Sequence, residues 1–144
     1  MTQIDFYVLG SESDDARLQL ACRIADKAMQ LNHHVFINSA TDNECRRLDE
    51  MLWTFSQGSF VPHRILGRED DEQALEPVLI GHAQEPASKH WDLMINLANE
   101  VPEYFSRYQR VAELVDGNAQ RRDLGRDRYR FYRDRGYKLN THKM

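Results

Sequence analysis

Short apolar runs alternate along the chain with longer amphipathic segments. Runs of this length, closed by glycine or polar residues, are typical of strands buried on both faces. Strands are predicted at residues 5–10, 35–37, 77–80, 92–97 and 111–115. Because helical periodicity separates these strands, we predict an α/β fold: a single domain over residues 1–144 with a mostly parallel central sheet flanked by helices.

The segments between the predicted strands have apolar residues at helical spacing. Asp14 and Asp15 open the first helix, where the helix dipole favours negative charge. Thr41 and Glu44 have the spacing of a capping box and open the second. The predicted helices are residues 14–32, residues 41–55, a short helix that starts at Pro102, and residues 118–135, which stop at Gly136.

The length of the chain and its two cysteines are typical of a protein that folds without disulfide bonds. A chain of 144 residues is long enough to bury a sizeable core. Cys22 and Cys45 lie in helical patterns without ligand spacing, and no secretory leader precedes them. No apolar run approaches the ~20 residues of a membrane-spanning helix. We therefore expect a cytoplasmic protein with two buried free thiols and no membrane partner.

The charge is unevenly distributed. Residues 1–117 carry 10 Lys and Arg against 20 Asp and Glu, a balance of −10, whereas residues 118–144 carry 9 against 3, a balance of +6. Such asymmetry can mark a local electrostatic binding site even where the whole chain, at −4, would repel nucleic acid. The last helix is the first candidate.

One face of that helix is predicted to carry an Arg–Tyr stripe, made of Arg122, Arg126, Tyr129, Arg130 and Arg133. Leu124 and Phe131 fall opposite, so we expect them to face the domain and to leave the stripe in solvent without an acid among its residues. Arginine grips carboxylates or phosphates and tyrosine offers a flat apolar wall, which favours an acidic peptide as ligand. The alternative is a solvated helix whose aspartates, Asp123, Asp127 and Asp134, pair locally with the arginines.

A second candidate surface is aromatic. The second helix turns Phe55 inward and Trp53 away from the core. Phe60 follows a polar turn, and Pro62 excludes a regular central strand beside it. If Trp53 and Phe60 meet at the surface, they form an anchor of the kind that dominates interfaces. The alternative is that Phe60 tucks under the sheet edge and Trp53 covers it.

Catalytic motifs are absent from the sequence. The first strand-to-helix turn, Leu9-Gly-Ser-Glu-Ser-Asp-Asp15, has one glycine and three carboxylates where phosphates would sit, so we expect a Rossmann-like fold without a nucleotide-binding loop. The histidines show no metal-ligand spacing, and no nucleophile motif occurs. No cofactor, metal or catalytic residue is predicted. An enzyme with dispersed catalytic residues is the weaker alternative.

Three stretches resemble the chi-subunit family of bacterial DNA polymerase III: DFYVL, RLDEMLWTF followed by SFVPH, and RDRYRFYRDRGYKLNTH. The resemblance covers nearly the whole chain in the right order. It implies a non-catalytic accessory protein of the clamp-loader complex, a monomer or a heterodimer with the psi subunit. It further implies binding to psi and to the acidic, Phe-ended C-terminal tail of single-stranded DNA-binding protein, with nucleic acid contacted mainly indirectly.

The resemblance also implies the residues of each site. The tail would be bound by Val115, Arg122, Arg126, Tyr129 and Arg130. The arginines would meet its carboxylates, while Val115 and Tyr129 flank its terminal ring. The psi subunit would be bound by Trp53, Phe60, Pro62 and His63. Residues 67–76 and 84–90 carry no motif to which the resemblance assigns a role. The alternative function is direct binding of single-stranded nucleic acid through the same basic helix.

Overall fold

The structure is a computed structural model that describes residues 1–55, 60–67, 74–86 and 91–144. The polar turn 56–59, most of the acidic loop predicted after residue 67 and the end of the link 84–90 lie outside these ranges. The described strands are β1 Gln3–Val8, β2 Val35–Ser39, β3 His63–Ile65, β4 Val78–His82, β5 Leu93–Asn96, β6 Arg110–Val115 and β7 Leu139–Lys143. The described helices are α1 Asp14–Gln30, α2 Asp42–Thr54, the 3-10 helix Glu103–Arg107 and α3 Ala119–Asp134.

The strands form one seven-stranded sheet in the order β3-β4-β2-β5-β6-β1-β7. Every described pairing is parallel, which confirms the predicted α/β fold around a parallel sheet. Strands β3 and β7 are not predicted from the sequence. Both are edge strands, and their half-exposed polar positions carry no continuous apolar run. An edge strand needs only one bonded side, so β3 can begin directly after Pro62.

Helices cover the sheet on both faces and create two apolar cores. One core lies under α1 and α2 and includes Leu18 and Leu48; the other lies under α3 and the 3-10 helix and includes Phe36. Cys22 and Cys45 are free and buried in the first core, as predicted. Burial raises the pKa of Cys22 to about 12. None of the helices in the described ranges has the length and apolar content needed to cross a bilayer.

The helix ends follow the predicted capping chemistry with small shifts. Thr41 Oγ1 accepts from the Glu44 amide at 3.0 Å, as a capping box requires. The Glu44 carboxylate reaches back to the Ala40 amide at 3.0 Å, one residue before the expected donor. The short helix after Pro102 is a 3-10 helix, and Pro102 precedes it as its cap. Gly136, at φ 82°, follows α3 in the left-handed region that ends helices.

The buried face of α3 differs from the one that the sequence predicts. Phe131 packs against the core as expected, with its ring centroid 5.7 Å from that of Phe105, but both Leu124 and Phe131 are only half-buried. The helix instead buries Gly125, Arg128 and Tyr132. The helix is rotated about its axis relative to the predicted orientation. As a result Arg122 and Tyr129 of the Arg–Tyr stripe are half-buried.

A buried carboxylate explains this rotation. Glu113 of β6 is fully buried and accepts from Arg128 Nε at 2.8 Å, from the Tyr132 hydroxyl at 2.7 Å and from Asn96 Nδ2 at 2.9 Å. A buried charge is tolerated when it is paired and hydrogen-bonded. An arginine can therefore occupy the inner face of α3, which a hydrophobicity pattern would assign to Leu124 or Phe131.

Candidate partner-binding surfaces

A groove of about 320 Å³ lies between α3 and the strands at the β7 end of the sheet. We call it the α3 groove; its lining is Phe6, Val8, Val115, Arg122, Gly125, Arg126, Tyr129 and Thr141. The floor is apolar and the α3 side is cationic. Of the residues predicted to bind an acidic tail, the groove brings together Val115, Arg122, Arg126 and Tyr129. Arg130 lies on the same helix but outside the lining.

The floor of the α3 groove depends on a glycine within the helix. A Cβ on Gly125 would lie 2.8 Å from Val115 Cγ2, closer than side-chain carbons approach in folded proteins. Glycine therefore lets α3 rest directly on β6 and leaves Val115, 6% exposed, at the base of the groove. A glycine inside a helical pattern often marks such a close approach.

Tyr129 forms a fixed apolar wall of the groove. Its ring meets Phe6 of β1 edge to face, with centroids 5.2 Å apart and planes at 62°. This geometry is favourable for aromatic pairs. Tyr129 is thus half-buried and held in place, instead of standing free in solvent as the helical wheel suggests.

The arginines of α3 differ in their pairing. Arg126 Nη1 lies 3.0 Å from Asp123 and Arg130 Nη1 lies 2.8 Å from Asp127, so the expectation that no acid accompanies the stripe is wrong. The alternative of local i, i+3 pairing holds at these two positions. Both guanidinium side chains remain more than half exposed, and exposed pairs of this kind are worth about 0.3–0.5 kcal/mol each. Arg122 has no ion pair to the residues that the structure describes.

Half of the groove lining is not predicted from the sequence: Phe6, Val8, Gly125 and Thr141. Gly125 carried a usable signal, because a glycine in mid-helix suggests close packing. The other three lie on β1 and β7. Their contribution depends on β1 pairing with β6 and on β7 pairing with β1, and no local sequence pattern predicts these pairings.

The second surface is an aromatic patch, which we define as Trp53, Phe60, Pro62 and His63. Trp53 is 56% exposed and Phe60 is 54% exposed, and their ring centroids lie 4.8 Å apart. The predicted meeting of these rings at the surface is confirmed, and the alternative in which Phe60 tucks under the sheet edge is wrong. Two adjacent exposed aromatic rings offer a ready apolar anchor.

His63 supports this patch from beneath. Its side chain is only 1% exposed, and Trp53 packs against its ring with centroids 5.2 Å apart. Nδ1 lies 2.6 Å from the Val61 carbonyl oxygen, an acceptor, so Nδ1 carries a proton. Nε2 lies 2.9 Å from Asp49 Oδ1. The histidine therefore orients the Trp53 ring more than it offers polar atoms to a partner.

The two surfaces lie towards opposite edges of the sheet. The patch adjoins β3 at one edge, and the α3 groove overlies β1, five positions along the strand order. Strands are spaced by about 4.8 Å, so roughly 24 Å separates the two regions. Two partners could occupy them at the same time.

The end of the sheet where α/β folds often hold nucleotides carries internal ion pairs. Asp14, in the first turn of α1, binds Arg17 at 2.9 Å and Arg47 at 2.6 Å. Burial opposes ionisation of Asp14, but these arginines outweigh it and hold the pKa of the carboxyl below its usual value. In the part of the chain that the structure describes, no three histidine, cysteine or carboxylate side chains are grouped closely enough for a metal ion.

Comparison with known proteins gives consistent results. The family profile described as "DNA polymerase III chi subunit, HolC" matches residues 1–140. The chain is 42% identical over 144 residues to DNA polymerase III subunit chi of Pseudomonas aeruginosa, covering 100% of this chain and 98% of that protein. It is 30% identical over 145 residues to the same subunit of Escherichia coli K12, covering 98% and 97%.

A solved structure, that of T4 UvsW, shares the fold. The TM-score is 0.71 at 10% sequence identity, over 99% of this chain and 41% of UvsW. This chain therefore spans less than half of the length of UvsW. At this identity the likeness concerns architecture alone.

Proposed function

Because the chain belongs to the DNA polymerase III chi-subunit family, we propose that it is an adaptor with two binding surfaces. Family membership makes it an accessory subunit in DNA replication. In our proposal the aromatic patch binds the psi subunit, and the α3 groove binds the acidic C-terminal tail of single-stranded DNA-binding protein. The chain would thereby connect the polymerase complex to coated template without catalysing a reaction itself.

The observation that carries this proposal is the combination of chemistries in the α3 groove. Val115 and Tyr129 provide an apolar floor and an apolar wall. Arg122 and Arg126 stand on the same lining and can meet carboxylates. The pair of Arg126 with Asp123 is exposed, so a tail carboxylate can replace Asp123 at little cost.

A peptide titration tests the tail site. The ligand is an acidic peptide with a terminal phenylalanine and a free carboxylate, and binding is followed by fluorescence anisotropy. We expect Arg126→Ala and Tyr129→Ala each to weaken binding by roughly 1 to 3 kcal/mol, and higher salt to weaken it further. Arg133→Ala is the matched control, because Arg133 lies on the same helix, pairs with Asp134 and does not line the groove.

The psi site is tested by measuring both psi binding and peptide binding for Phe60→Ala and for Tyr129→Ala. Phe60→Ala should abolish co-purification with psi and leave peptide binding unchanged, whereas Tyr129→Ala should weaken peptide binding and leave co-purification with psi unchanged. Circular dichroism checks that each variant is folded. Equal peptide affinity in wild type, Arg126→Ala and Tyr129→Ala would remove the tail site. Unfolding of Phe60→Ala would instead assign Phe60 to the core.

Direct binding of single-stranded nucleic acid through α3 is the competing function. Four of its arginines already pair with aspartates, namely Arg121, Arg126, Arg130 and Arg133, and the chain as a whole carries −4. Both features weaken attraction to a polyanion, whose binding depends on many basic groups. Retention of single-stranded DNA by the isolated protein at moderate salt, with a steep salt dependence, would favour this function over the adaptor.

A further inference from the structure

A second groove, of about 450 Å³, lies on the other face of the sheet. We call it the α1 groove, because it runs beside the C-terminal half of α1. Its floor includes Leu20, Leu93 and Ala112, which belong to the core under α1 and α2. Leu31 stands at the end of the helix and is 61% exposed. The groove therefore combines an apolar floor with an exposed apolar end.

Cations without partners line the same groove. Of the eight lysines and arginines that the structure describes within residues 1–117, five form ion pairs: Arg17, Arg47, Arg64, Arg107 and Arg110. Arg23, Lys27 and Arg46 form no ion pair to the described residues. Arg23 and Lys27 both line the α1 groove, so most of the unpaired positive charge of this acidic region is found at one place.

Arg23 and Lys27 share one face of α1. They lie four residues apart, where like charges repel one another. Asp26, the nearest acid on the helix, accepts from Gln30 Nε2 at 3.1 Å and forms no ion pair to the described residues. Lys27, in the last turn, is favoured by the helix dipole, but Arg23 lies a turn further in and gains little from it. An anion in the groove would relieve this repulsion.

The acidic groups around the groove are already engaged. Asp92 accepts from the His34 amide at 2.8 Å. Asp5, beneath the groove, is buried and bound by Arg110 at 3.1 Å and His142 at 3.2 Å. Asp5 is paired with Arg110, and the two cations Arg23 and Lys27 outnumber the single side-chain carboxylate of the lining, that of Asp92.

The dimensions favour an extended peptide. From Leu20 to Leu31 the helix advances about 16 Å at 1.5 Å per residue, which is the length of roughly five extended residues.

A nucleic acid is a poorer occupant, because residues 1–117 carry a balance of −10 and only two free cations face the groove. We propose that the α1 groove binds an extended acidic peptide segment with at least one apolar side chain, contributed by a partner protein. This proposal does not depend on the function proposed for the α3 groove.

Nuclear magnetic resonance of the full chain tests the proposal. The probe is an acetylated, amidated peptide, Asp-Leu-Glu-Leu-Asp, titrated into the ¹⁵N-labelled protein. We expect amide shifts in residues 23–31 and at Leu93 and Ala112. Arg23→Glu should weaken binding about tenfold or more, and Lys27→Gln should weaken it less. Arg46→Glu is the matched control: it makes the same charge change at another unpaired arginine, on α2, and should bind like wild type.

Peptide variants and a groove variant separate the possible outcomes. A probe with Asn and Gln in place of its acids, and one with Ser in place of Leu, should both bind more weakly. The Arg126→Ala protein should bind the original probe normally, which distinguishes this site from the α3 groove. Equal affinity for Arg23→Glu and Arg46→Glu, or amide shifts confined to the α3 groove, would overturn the proposal.

Discussion

Replacing Arg128 with methionine would test whether the buried Glu113 cluster holds α3 on the sheet. Arg128 is 6% exposed and Glu113 is fully buried, so the substitution leaves a carboxylate in the core with two neutral donors, Tyr132 and Asn96. Breaking a buried ion pair by removing one partner costs about 3–5 kcal/mol, because the remaining charge is uncompensated. We expect a loss of that size in the free energy of unfolding.

Urea denaturation followed by circular dichroism measures this loss, and Arg126→Met provides the control. Arg126 sits on the same helix in an exposed pair with Asp123, so the same substitution there should change the free energy of unfolding by about 0.5 kcal/mol or less. Adding Glu113→Gln to Arg128→Met removes the buried charge and should recover part of the stability. If Arg128→Met costs no more than Arg126→Met, the cluster does not anchor α3.

Three further predictions concern the groove, the patch and the core. Gly125→Ala places a Cβ 2.8 Å from Val115 Cγ2 and should cost about 1–3 kcal/mol in urea unfolding; Val115→Ala in the same chain should restore part of it, and no loss would contradict the close approach. Phe60→Ala should lower the free energy of unfolding by less than about 1 kcal/mol, because the residue is 54% exposed; a larger loss would make it a core residue. Burial raises the pKa of Cys22 from 9.0 to about 12, so the unfolded thiol ionises first and the free energy of unfolding should fall as pH rises from 9 towards 12. Urea unfolding across that range should show a shallower fall in Cys22→Ala, and identical slopes would refute this.

Much of the fold could be predicted because its signals are local. The central strands are apolar runs, and a strand buried on both faces needs little else to be recognised. The Thr41 cap of α2 rests on a side chain and an amide three residues apart. The exposure of Trp53 followed from its angle on α2 relative to the buried positions.

The edges of the sheet and the face of α3 required long-range information. The polar strand β7 becomes a strand only because β1 offers it a free edge, and β1 is more than 130 residues away in sequence. Arg128 becomes a core residue only because Glu113 lies opposite it on β6. A hydrophobicity pattern predicts that an arginine is exposed, because the pattern contains no information about the carboxylate that pairs with the arginine in the folded chain.

The sequence by itself determined the parallel α/β framework, the basic character of the last helix and the outward direction of Trp53, because each depends on the chemistry and spacing of residues close in the chain. Only the tertiary structure decided that Arg122, Arg126 and Tyr129 would share a groove with Phe6 and Thr141. That groove exists because β1 pairs with β6 and β7 pairs with β1, and because Gly125 lets α3 pack directly on Val115. A binding surface assembled from several strands and a helix is set by contacts between distant segments, and these form only when the chain folds.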